Sequence, residues 1–76
     1  MSAASRVLLL FASIHGVLTA EAALKAACVP LDLVPVPKEI SPDCGMAIAV
    51  APLDRGRALR ALAASPPSRV LDAWRA

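Results

Sequence analysis

Aromatic residues are nearly missing from this 76-residue chain, which has one Phe, one Trp and no Tyr. Proteins that hold single-stranded nucleic acid stack bases on aromatic faces along a basic groove, and this chain offers neither. Charge is sparse as well. Eight Lys and Arg stand against six Asp and Glu, for a formal net charge of +2, and they are scattered singly. No nucleic-acid partner is expected from that pattern. Long apolar runs are also lacking: Val7 to Ala12 is the uninterrupted one near the start, and a bilayer span needs about 20 residues. With only two cysteines, Cys28 and Cys44, a disulfide framework is excluded, and reduced thiols in the cytoplasm are the simpler reading. A domain this small buries only about 60% of its unfolded surface. That leaves little room for an enclosed cleft beside a core, so a carrier, a binding module or a subunit fits the size better than a stand-alone enzyme.

What is present is a chain rich in Ala, whose small side chain inflates the apolar fraction of 58%. Arg6 to Ala12 (RVLLLFA) has the length and continuity of a buried central strand. The same stretch, followed by small residues near Ala20, resembles an export leader. Its apolar core is short and is broken by Ser13, His15 and Gly16, so the strand reading is preferred. Ser13 can cap a helix running to about Ala27, with Val17, Ala20, Leu24 and Ala27 as its inner stripe and Glu21 and Lys25 paired outside. Val29 to Val36 carries Pro30 and Pro35, which confine it to a sheet edge. Met46 to Ala51 reads as a further strand. Pro52 and Asp54 then open a helix ending near Ala64, with Ala58, Leu59 and Leu62 inward and Arg55, Arg57 and Arg60 outward. The last segment, 65–76, is a short edge strand or a tail.

This order is βαββαβ. It predicts an α+β, ferredoxin-like two-layer sandwich: an antiparallel sheet with both helices on one face, in a single domain over 1–76 with its core at about 6–64. Chain direction then sorts the residues by pole. The end of the first strand, the first helix's N-terminus and the loop PKEISPDCG all fall at one pole, and Cys28 falls at the other. A strand of this length separates the poles by about 20 Å, and a disulfide needs Cα atoms within ~7 Å, so Cys28 and Cys44 cannot pair in this fold. Cys44, on a loop beside a helix N-terminus, is placed where a thiolate is stabilised. His15 and Lys38 add donors near it, Gly45 permits a close backbone approach, and the adjacent Asp43 works against ionisation. Two ligands, Cys44 and His15, are too few for a metal centre, and no cofactor is called for.

The segments FASIHGVLTAEAALKAA and VPLDLVPVPKEISPDCGMAI resemble the selenium/sulfur carrier protein-like family of small domains. Phe11, Ser13, His15, Ala20, Glu21, Ala23 and Leu24 match its F-x-S-x-H and A-E-x-A-L elements. Pro37, Lys38, Ile40, Ser41, Cys44 and Gly45 match its P-[R/K]-x-[I/L]-S-x-x-C-G loop. Pro42 and Asp43 replace small hydroxyl residues, and Gly16 replaces an acid after the His. The resemblance implies a carrier that holds persulfide or selenosulfide on Cys44, with Gly45, Ser41, Lys38, His15 and Ser13 in support. Its implied partners are a cysteine desulfurase-type donor and a sulfur or selenium acceptor protein.

Each residue also has a plainer reading. Ser13 is a cap before it is a catalytic hydroxyl, and His15 could be a solvated first-turn residue. Lys38 and Glu39 could simply keep an edge soluble. Cys28 reads as core or helix end, and Trp74 as a core cap rather than a docking handle. The alternative for the whole chain is a ferredoxin-like interaction or regulatory module whose loop cysteine is incidental.

Overall fold

In a computed structural model the chain is described over residues 6–40 and 45–74, the last two by backbone alone. Strand β1 (Arg6–Leu10) leads into helix α1 (Ile14–Ala26), then β2 (Asp32–Pro35), β3 (Met46–Val50), helix α2 (Arg55–Ala61) and β4 (Arg69–Trp74). The sheet order is β2-β3-β1-β4, with every neighbouring pair antiparallel. This is the ferredoxin-like arrangement that the element order predicts, and it places β1 and β3 at the centre. The final segment, left open between strand and tail, is the edge strand β4.

Helix α1 shows why the fold follows from the sequence. Ser13, in extended conformation, accepts a hydrogen bond on its Oγ from the Gly16 N–H at 3.2 Å. That satisfies one of the donors a helix start leaves open. Val17, Ala20 and Leu24 are buried as the three-and-four spacing requires. Lys25 meets Glu21 at 3.1 Å on the exposed side. The helix closes in a Schellman motif: the Cys28 N–H donates to the Lys25 carbonyl at 3.0 Å and the Val29 N–H to the Leu24 carbonyl at 2.9 Å. Both Val29 and Leu24 are buried in the core, which supplies the apolar contact that accompanies this closure.

Three expectations change. Ala27 is exposed as the C-cap instead of closing the inner stripe. Strand β2 begins at Asp32 instead of Val29, because Val29 belongs to the helix closure and Pro30 has no donor. The second helix opens as a single 3-10 turn (Pro52–Asp54), continues as α2 and ends by Ala61, not Ala64. Asp54 makes no capping bond there; its carboxylate lies 3.7 Å from Arg57.

Both faces of the sheet are apolar. Under the helices, Val7, Leu9, Ile48 and Val50 pack with Val17, Leu24, Ala58 and Leu62. On the opposite face, Leu8, Leu10, Ala47 and Ala49 form a second cluster with Val36, against which Val34, Ile40 and Leu71 pack. The continuous run in β1 is explained by this double burial, since successive side chains point to opposite faces.

Candidate functional site

The pole where β1 ends is assembled from three elements. The register Leu9↔Ile48 brings the end of β1 beside the start of β3, and Pro35↔Met46 brings the end of β2 there too. Phe11, only 6% exposed, leaves β1 and packs beneath the first turn of α1. A Cβ on Gly16 would lie 3.3 Å from the Phe11 Cβ, so the missing side chain lets the helix start close down on the phenyl group. No acidic residue sits in that first turn, and its positive dipole end is not offset by a carboxylate of its own.

The β2–β3 connection is tied at its base, where the Val36 N–H donates to the Gly45 carbonyl at 2.9 Å. A turn follows Val36, closed by the Ile40 N–H donating to the Pro37 carbonyl at 3.0 Å. Ile40 then packs on the second apolar cluster, so the described part of the loop bends toward the face opposite the helices.

Of the residues expected at the site, Ser13 is the α1 N-cap. His15 is exposed in the first turn, Lys38 in the turn after β2, and Gly45 just before β3. All four lie at one pole. Cys44, Ser41 and the neighbouring Pro42 and Asp43 lie outside the described residues, as does the side chain of Trp74. Among the described residues a Cβ on Gly45 would meet nothing within 4 Å. Cys28 is a free, exposed thiol at the opposite pole, on the helix end and not in the core, and its carbonyl accepts from Arg57 Nη2 at 3.2 Å. The packing roles of Gly16 and Ile40 escape a reading by residue type. The F-x-S spacing was the available signal for the first, and nothing local signals the second.

Two surface grooves among the described residues lie away from these side chains. One of ≈ 360 Å³ is lined by Ala27, Val29, Arg57, Arg60 and Ala61, and another of ≈ 250 Å³ by Arg6, Leu31, Asp32 and Val50 among others. Neither touches Ser13, His15, Lys38 or Gly45. Among the described residues no helix is long and apolar enough to cross a membrane.

No curated protein and no solved structure matches the chain. The sequence model of one family, described as "Putative Se/S carrier protein-like", matches residues 6–66. That span takes in both central strands, both helices and the whole β2–β3 loop, and the chain therefore belongs to the Se/S carrier protein-like family.

Proposed function

We propose that the chain carries sulfur or selenium as a persulfide or selenosulfide on Cys44, taking it from a cysteine desulfurase-type donor and passing it to an acceptor protein. Family membership is the observation that carries this reading. The geometry supports it in two ways. Cys44 is bonded to Gly45, and Gly45 is exposed and tied by its carbonyl to the pole that also holds the α1 N-terminus. A helix start with no acid in its first turn favours a thiolate brought near it. Ser13 fixes that helix start, while His15 and Lys38 are exposed donors beside the loop. Ser41 is assigned to the loop by its place in the family pattern.

A carrier of this kind leaves catalysis to its partners and requires a reduced thiol, which suits the cytoplasm. Incubation with a desulfurase and cysteine is expected to add the mass of one sulfur atom to the intact chain. Cys44→Ser abolishes that addition and Cys28→Ser does not. Equal labelling of both variants and the wild type would overturn the assignment.

A further inference from the structure

We infer that the groove between the end of α1 and the outer side of α2 docks an acidic segment of a partner protein, whose Asp or Glu side chains are taken by Arg57 and Arg60. The site lies at the pole of Cys28, away from the β2–β3 loop, and is independent of the carrier reading above.

The Schellman closure of α1 creates one side of this groove. It turns Val29 inward, where the residue is buried, and leaves the small Ala27 side chain exposed at the rim. Across from them α2 presents Arg57, Arg60 and Ala61, which lie three and four residues apart and so share one side of the helix. The result is a trough of ≈ 360 Å³ with alanine and valine along it and two guanidinium groups on the α2 wall. A Cβ on Gly56 would lie 3.3 Å from Arg60 Nη1. The Arg60 side chain therefore runs back along α2, as long helical side chains do, to about the level at which Arg57 leaves the helix.

The charge of the trough is not balanced from within. No described carboxylate lines it. Arg57 donates from Nη2 to the Cys28 carbonyl, which answers the negative end of α1, and meets Asp54 only at 3.7 Å, beyond hydrogen-bond distance. Arg60 is exposed and enters no ion pair among the described residues. Incoming carboxylates relieve the repulsion between these two cations and match their forked N–H groups. Small-molecule sites enclose most of their ligand. Here Ala27, Arg57 and Arg60 are all exposed, so a chain segment laid along the trough fits better than an engulfed metabolite. A nucleic acid calls for a row of cations, not two. A second copy of this chain is also a poor occupant. Glu21, Asp32, Asp54 and Asp72 are each held in an ion pair, which leaves Glu39 as the free acid among the described residues.

The test titrates the isotope-labelled full chain with end-blocked tetraglutamate and, separately, with end-blocked tetraglutamine and with glutarate, following the backbone amide shifts. Tetraglutamate is expected to move the Ala27, Val29 and Ala61 amides saturably, and tetraglutamine to leave them in place. In Arg60→Gln the half-saturating concentration is expected to rise about tenfold, as loss of one charge-assisted pair implies. Arg60→Lys should fall between, since it keeps the charge and loses the fork. Arg69→Gln removes the same charge from an exposed side chain beside Leu10, at the other pole, and should leave the titration unchanged. Equal weakening by Arg60→Gln and Arg69→Gln would reduce the effect to net charge and overturn the site. So would tetraglutamine moving the same amides as tetraglutamate. Saturation by glutarate at a lower concentration than by tetraglutamate would overturn the protein partner, since a small acid would then be the occupant.

Discussion

At Cys28 the backbone adopts φ 59°, the left-handed region where a Cβ crowds the following carbonyl. Glycine is usual at this point of a Schellman closure. Cys28→Gly is expected to stabilise the fold by roughly 0.5–1 kcal/mol, the relieved strain less the added freedom of the unfolded chain. Calorimetry would show the thermal midpoint rising by about 2–8 °C, and a fall would refute the strain account. Left-handed cysteine was not legible in the sequence, because nothing in AACVP distinguishes a helix-end thiol from a core one. The exposure of Cys28 and its place at the helix end settle that choice. Gly16 makes the opposite point. A Cβ there would lie 3.3 Å from the Phe11 Cβ, and that contact only exists once β1 and α1 are packed.

Elements were more readable than residues, since periodicity is a property of the local chain. The α1 stripe, the N-cap at Ser13 and the edge position of the proline-bearing β2 all follow from spacing and missing donors. Ser13→Ala removes the acceptor of the Gly16 N–H and is expected to cost about 1 kcal/mol in urea unfolding, with Ser13→Asn restoring most of it. If Ala and Asn behave alike, the cap is not what holds the helix start. Boundaries were less legible where tertiary contacts decide them. Val29 continues a strand-like pattern in sequence but is claimed by the helix closure, and α2 stops short of the alanines that follow it. The loop stood out as a candidate site through the place of Cys44 beside the α1 N-terminus and through its family pattern. The lean of its described part toward the face opposite the helices depends on Ile40 packing on the second apolar cluster, which nothing local announces.

For the whole molecule, two thin apolar layers share one four-stranded sheet. A chain of this size has little stability in reserve. Ile48, fully buried under the helices, is the place where that shows. Ile48→Ala is expected to cost about 2–5 kcal/mol and leave a broad or absent thermal transition. Leu53→Ala, at an exposed side chain, should stay within about 0.5 kcal/mol. Equal effects would mean that the helix-side layer is not the main core. The clamp from the Val36 amide to the Gly45 carbonyl has a consequence of its own. It closes the base of the β2–β3 connection one residue beyond the Pro35↔Met46 pair, so the end of the ladder is held in register by the backbone itself and not by the loop's side chains.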